Sequence, residues 1–367
     1  MDQQPEFRAP SASERLELIA QLRSAVASVM NVSGYRFADN GQLVLSGTFN
    51  QPLDKVYKPL RAAAESAGYT PWLRDGENGK YDVFLTPGVI PKQKINYRTP
   101  LILFLVTVAS VVFSPSGFGS PEGTFISHLL DGLMFAGSLL GILVVHEFGH
   151  YLVAKYRGAP VSLPYFLPLP ILGGVGTLGA VIVQREPFEN RRHLLEIGIA
   201  GPLAGFIVAV PLMFVGYLLS HVGLVPDGAM TFGDSLLTRL FSIITFGQAY
   251  PANGMDIYLH PIGFGAWFGL FITGINLLPV GQLDGGHVAY AILGENAKYL
   301  GYAVIAVMLI LAITVSQGWL LWVALLLLFG RSHPPLLNQA AKLEPLHYAL
   351  AIAGLLVFIL TFVPMPM

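Results

Sequence analysis

The sequence predicts a polytopic α-helical membrane protein with a small soluble α+β domain at its N-terminus, on three observations. Of 367 residues, 53% are hydrophobic and only 12% charged, about half the charge of an ordinary soluble domain. That charge is unevenly spread, with twelve of the 21 lysines and arginines before residue 99. Beyond that point the apolar runs become long enough to cross about 30 Å of hydrocarbon, which takes roughly 20 helical residues.

The boundary between the two parts is expected near Gln93 to Thr99, giving a soluble domain over 1–95 and a membrane domain over 96–367. In the first, Leu16, Ile19, Leu22, Val26 and Val29 repeat at helical spacing and predict a helix over Glu14 to Met30, with Ser13 placed to cap it. Alternating runs at Tyr35–Phe37 and Leu43–Phe49 read as strands. Leu53–Ala67 reads as a second helix and Tyr81–Leu85 as a further strand, bounded by Gly79 and Pro87. Nothing in this domain carries a recognisable site, so it reads as regulatory, substrate-recruiting or a stabilising cap.

Membrane spans are expected near 99–114, 128–156, 194–220, 261–282, 298–315, 317–331 and 345–363, six or seven in all because the first and sixth are short. Lys92, Lys94 and Arg98 precede the first, and Lys155, Arg157, Arg185, Arg191 and Arg192 fall at or after the end of the second and before the third, whereas loops 115–127 and 221–260 hold only Arg239. The positive-inside rule then sets the N-terminus and the 157–193 connection on the cytoplasmic or equivalent face, together with the ends of the second and fourth spans. Met1 to Glu6 have no basic and apolar succession of the kind a cleaved secretory signal requires.

Several functions are excluded at this stage. A formal net charge of −1 with no basic tract speaks against nucleic acid as a partner. With no cysteine present, disulfides, thiolate metal sites and a cysteine nucleophile are all ruled out, and any metal must be held by His, Asp or Glu.

Chemistry is concentrated in the second span, which reads His146-Glu147-Phe148-Gly149-His150. An i, i+4 spacing stacks His146 and His150 on one helix face, where two imidazole nitrogens reach one Zn²⁺ and Glu147 can hold a water beside it. Three such polar groups in an apolar span carry a heavy desolvation cost, which coordination relieves. Catalytic zinc takes three protein ligands and leaves one position open. Asp284 is the outstanding acidic residue among the embedded segments, at the end of the fourth span and the same predicted depth as the histidines. Standing alone it would read as a helix cap beside Gly285 and Gly286.

At these residues the sequence resembles the site-2 protease family of intramembrane zinc metalloproteases. The first motif is His146 to His150; the second is the family's N-x-x-P-x(4)-D-G pattern, met by Asn276, Pro279, Asp284 and Gly285. The resemblance covers roughly 126–335. It implies one zinc per chain on His146, His150 and Asp284, Glu147 as general base, membrane lipid as environment, and single-span membrane proteins as substrates. The Gly330-Arg331-Ser332-His333-Pro334-Pro335 run is similar to the plastid and cyanobacterial branch, and reads otherwise as an interfacial arginine anchor and turn. A PDZ domain, common between spans in the family, does not fit in 221–260, which reads as a loop with an amphipathic piece at Leu236–Phe246. The competing class is a zinc-binding membrane scaffold or transporter without peptidase activity. A transporter would show internal repeats, none of which is seen, and mere zinc binding leaves Glu147 without a purpose.

Four secondary expectations complete the reading. Asn276 either steadies a substrate backbone or oxyanion, or satisfies backbone freed by Pro279. His287, three residues beyond Asp284, is expected to support the metal ligands or serve the structure, with direct ligation as the alternative. Leu163–Pro170 and Gly173–Val183 form a β-hairpin at the membrane whose edge could pair with an unwound substrate, or a buried connecting loop. Gly201-Pro202-Leu203-Ala204-Gly205 supplies small residues for helix packing.

Overall fold

The structure is a computed structural model, and it describes residues 12–38, 42–91, 96–114, 123–169, 175–226, 232–329 and 333–364. They fall into two compact units. One comprises the described residues of Met1–Gln93 together with Glu186–Arg192 and Pro335–Lys342; the other comprises the remainder.

In the first unit the order is α1 (Ala12–Val26), β1 (Met30–Phe37), β2 (Leu43–Phe49), α2 (Leu53–Ser66), β3 (Tyr69–Asp75) and β4 (Tyr81–Pro87). The strands form one antiparallel sheet in the order β1-β2-β4-β3. Period-two alternation turns Leu43, Leu45, Val83, Leu85 and Leu73 to one face, where they bury against Leu22, Val26, Val56, Tyr57 and Leu60 of the helices. Helix α1 begins at Ala12, which puts Ser13 inside the first turn instead of at the cap. It ends at Val26, so Met30 opens β1 and the expected helix is shorter by a turn. Strand β3 is additional to the expected elements, because Pro71 interrupts its apolar pattern.

The two remote segments complete this sheet. The Leu73 N–H donates to Leu337 O at 2.7 Å and the Gln339 N–H donates to Leu73 O at 3.0 Å. On its other side the same segment receives Phe188 and Glu189: the Leu337 and Asn338 N–H groups donate to their carbonyls at 3.0 and 2.6 Å. Leu337 and Ala340 are 1% exposed and belong to the core. No local signal in either segment marks it as part of a sheet.

The second unit is helical. Its elements are α3 (Arg98–Val112), α4 (Phe125–Arg157), β5 (Tyr165–Leu169), β6 (Gly176–Val181), α5 (Arg191–Leu218), β7 (His221–Leu224), α6 (Leu236–Phe246), β8 (Met255–Tyr258), α7 (Pro261–Asn276), α8 (Asp284–Leu293), α9 (Ala297–Thr314), α10 (Trp319–Phe329) and α11 (Pro345–Thr361). Among the described residues three stretches are long and apolar enough to cross a membrane: Phe125–Arg157, Arg191–Leu218 and Asp284–Thr314. Local chemistry sets their ends. Thr124 caps α4 by accepting from the Ser127 N–H at 3.2 Å, and Gly158 closes it in a left-handed conformation behind Lys155 and Arg157. The expected span over 261–282 ends instead at Asn276, and α8 starts afresh at Asp284. Pro279 lies in the gap, where a helix through it would lack a hydrogen bond. The residues expected as one hairpin pair antiparallel as β5 and β6, with Pro170, Gly173 and Gly174 outside the described residues. A second small ribbon, β7 with β8, was not anticipated. The core joins α4, α5, α6, α7, α9 and α10 through Phe135, Met213, Phe241, Trp267, Phe271, Met308 and Trp319.

Leu337→Ala is expected to destabilise the first unit by about 2–5 kcal/mol, as large-to-small changes at buried leucines do. Hydrogen exchange on the full chain reads this directly, as faster exchange of the Leu73 and Gln339 amides.

Candidate metal centre

The site is assembled from three helices. His146, Glu147 and His150 lie in α4 with 1%, 4% and 8% of their surface exposed. Asp284 opens α8. Helix α5 supplies no metal ligand but forms the wall behind them.

The three donor groups converge. His146 Nε2 is 3.2 Å from Asp284 Oδ2 and 3.2 Å from His150 Nε2, and His150 Nε2 is 3.3 Å from Asp284 Oδ1. The two imidazole nitrogens and the carboxylate, which turns Oδ2 to His146 and Oδ1 to His150, form a triangle whose separations suit a single zinc ion, since zinc bonds to such donors are about 2.0–2.1 Å long. Among the described residues this is the one group of three or more such side chains arranged to hold a metal.

Tautomers fit the same purpose. A carbonyl oxygen can only accept, so the contact between His150 Nδ1 and Ile197 O at 2.6 Å requires Nδ1 to carry the proton. The Nε2 lone pair is then free to face the metal, an arrangement typical of zinc-ligating histidine. His146 Nδ1 has no equivalent: it is buried without a hydrogen-bond partner among the described residues. Its Nε2 is turned into the triangle, so the ring's burial leaves coordination as its compensation.

The wall explains the small residues of α5. An ideal Cβ on Gly201 would lie 2.1 Å from His150 Nε2, and one on Gly205 would lie 3.1 Å from His146 Cβ. A Cβ on Gly198 would meet His287 Cβ at 2.9 Å, and one on Gly149, reaching back from α4, would meet Ala200 O at 2.7 Å. The Gly201 and Gly205 pair, expected to serve helix packing alone, therefore also makes room for the imidazoles. Its spacing marks a close helix contact in the sequence, but what it contacts depends on α4 and could not be read locally.

The remaining expected residues stand further out. Asn276 ends α7, half-buried, with no side-chain hydrogen bond seen among the described residues. His287 turns Nδ1 toward His333 Nε2 at 3.0 Å, outside the triangle. His333 Nδ1 donates to Pro334 O at 2.7 Å, which leaves its Nε2 to accept from His287 Nδ1–H. The Tyr290 ring stacks on His333 at 4.3 Å. His333 was missed as a neighbour of the site; its only signal was the Gly330–Pro335 run, of which Gly330, Arg331 and Ser332 lie outside the described residues. Burial holds the His333 imidazole below its ordinary value, so it is kept neutral.

Two buried histidines at i, i+4, a carboxylate from a second helix and an adjacent glutamate match the donor set of the zinc metalloprotease class. The family model for peptidase family M50 matches residues 134–315, spanning both motifs, so the chain carries a peptidase family M50 domain. It is 31% identical over 297 residues to the probable zinc metalloprotease EGY1, chloroplastic, of Arabidopsis thaliana, covering 73% of this chain and 53% of that protein. Against the probable zinc metalloprotease EGY2, chloroplastic, of the same plant, identity is 34% over 243 residues, covering 65% and 43%. The chain thus spans about half the length of the curated relatives it matches. Among solved structures, the site-2 protease from Methanocaldococcus jannaschii aligns over 68% of this chain and 93% of that one, at 19% identity and a TM-score of 0.34, too low to carry an argument.

Two outcomes test this geometry. Gly201→Ala is expected to remove most bound zinc, measured by elemental analysis of the purified protein, and Gly205→Ala to remove less. Gly137→Ala, where a Cβ meets nothing within 4 Å, is expected to leave zinc unchanged. The second concerns pH. A histidine whose folded pKa is lowered contributes stability that is complete above its unfolded value of 6.5 and is lost as pH falls below it. Replacing His333 by Gln should therefore flatten the decline in thermal stability on acidification from pH 6.5.

Proposed function

We propose that the protein is an intramembrane zinc endopeptidase that cuts single-span membrane proteins within or beside the bilayer. The observation that carries this reading is the convergence of His146, His150 and Asp284 to 3.2–3.3 Å inside apolar helices, with Glu147 on the turn between the histidines. The chloroplastic zinc metalloproteases it resembles support the same class of activity.

His146, His150 and Asp284 would hold one zinc. Bound there, zinc would polarise the scissile carbonyl and bring the acidity of a water toward a pKa of about 7. Glu147 takes the proton of the attacking water and returns it to the leaving amine. Asn276 steadies the substrate backbone or the developing oxyanion, and His287 braces the turn that carries Asp284. A helical substrate keeps its carbonyls in hydrogen bonds, so it must be unwound first, and the β5–β6 ribbon offers backbone groups to an extended strand. Six or seven spans follow from the apolar runs, and the placing of residues 1–95 and the active-site end on the cytoplasmic or equivalent side from the distribution of Lys and Arg. Membrane lipid is the environment and residues 1–95 the regulatory part.

The test is Glu147→Gln in purified protein reconstituted with a single-span substrate. The variant should keep its zinc and lose cleavage by about 10²–10⁴, the usual contribution of a general base. Wild-type protein that binds zinc yet cuts none of several such substrates would move a non-peptidase metalloprotein ahead.

A further inference from the structure

Helix α5 holds a carboxylate that the chemistry above does not use. Glu196 is 11% exposed and receives groups from two other helices. From α4, Arg157 donates through Nε to Oε2 and through Nη2 to Oε1, the latter at 2.5 Å. From α11, His347 Nε2 lies 3.2 Å from Oε1. The His347 tautomer is fixed by its own helix: the Glu344 N–H donates to Nδ1 at 3.1 Å, so the proton resides on Nε2 and is given to Glu196. The bidentate pair and the imidazole together tie α4, α5 and α11 at one carboxylate.

The next residue along α5 is Ile197, whose carbonyl accepts the His150 Nδ1 proton at 2.6 Å. Beyond it come Gly198, Ala200 and Gly201, which leave no slack against His287, Gly149 and His150. Helices packed at that distance tolerate little sliding. A shift of α5 along α4 by even a fraction of a turn would withdraw the Ile197 carbonyl and press backbone or side-chain atoms onto the imidazoles. Apolar contacts alone resist such sliding weakly in lipid, because hydrocarbon tails offer equivalent contacts. A charge-assisted, two-pronged hydrogen bond is directional and resists it well.

We infer that Glu196, clamped by Arg157 and His347, is a positioning residue for the metal centre: it fixes the register of α5 on α4 and so keeps the Ile197 carbonyl on His150. This rests on the zinc reading of the His146, His150 and Asp284 cluster. Glu196 touches neither metal nor substrate in this account. Its influence is carried by one backbone carbonyl, and groups that orient zinc-ligating histidines typically contribute about 10- to 100-fold in affinity.

The test uses the full chain in detergent or reconstituted vesicles and compares wild type with Glu196→Gln. Zinc affinity is measured by competition with a chelator, and cobalt-substituted protein gives the visible absorption of the metal ion as a readout of ligand geometry. Expected is a folded variant with zinc affinity lowered about 10- to 100-fold, an altered cobalt spectrum, and a loss in kcat with KM little changed. A folded variant with wild-type zinc affinity and cobalt spectrum would overturn the inference. If Glu196→Gln does not fold, His347→Gln leaves the arginine pair in place and is read by the same two measurements. A smaller change in the same direction supports the assignment, and no change sinks it. Wild-type protein that takes up no zinc would instead defeat the metalloprotease reading itself, an outcome separate from the behaviour of the variants.

Discussion

Everything at the metal centre depends on how closely α4 lies on α5. The hydrogen bond from His150 Nδ1 to Ile197 O sets the imidazole's tautomer and aim, and it exists only because Gly149, Gly201 and Gly205 remove the side chains that would hold the helices apart. Burying two histidines, a glutamate and an aspartate among apolar helices is costly. For His150 part of that cost is met by the Ile197 carbonyl; for His146 it falls to coordination, its Nε2 facing His150 and Asp284 where a zinc ion would be held. The helix that supplies no ligand therefore decides whether the ligands converge.

The break between α7 and α8 makes the complementary contribution. A continuous helix through 276–284 would keep Asp284 on a rigid course with the rest of the span. Ending α7 at Asn276 and restarting at Asp284 lets the carboxylate enter the triangle as the first residue of a new helix. An anion at a helix N-terminus also meets the favourable end of the helix dipole. Proline thus shapes the site through backbone geometry alone.

The parts legible in the sequence were those whose signal is local. The i, i+4 histidines carry their geometry in their spacing, and Asp284 stood out because acids are scarce in apolar segments. Both motifs were readable because lipid makes each polar group conspicuous. What escaped is what depends on a partner far away in the chain. Gly201 and Gly205 announce a close contact without naming it, and Glu196, beside two arginines and a histidine in the sequence, looks like an ordinary interfacial charge until Arg157 and His347 are found on it. In the first unit, Pro71 hid β3, and residues 335–342 joined the sheet through backbone hydrogen bonds to Leu73 that no side-chain pattern encodes. The end of α1 at Val26 and the start of β1 at Met30 are differences of boundary, where competing helix and strand tendencies are close in energy.

The most direct measurement of the central claim is zinc X-ray absorption on the purified wild-type protein. Two imidazoles, one carboxylate and one further light atom at about 2.0–2.1 Å are predicted, with no sulfur. A spectrum requiring three imidazoles would bring His287 into the coordination sphere and contradict the account.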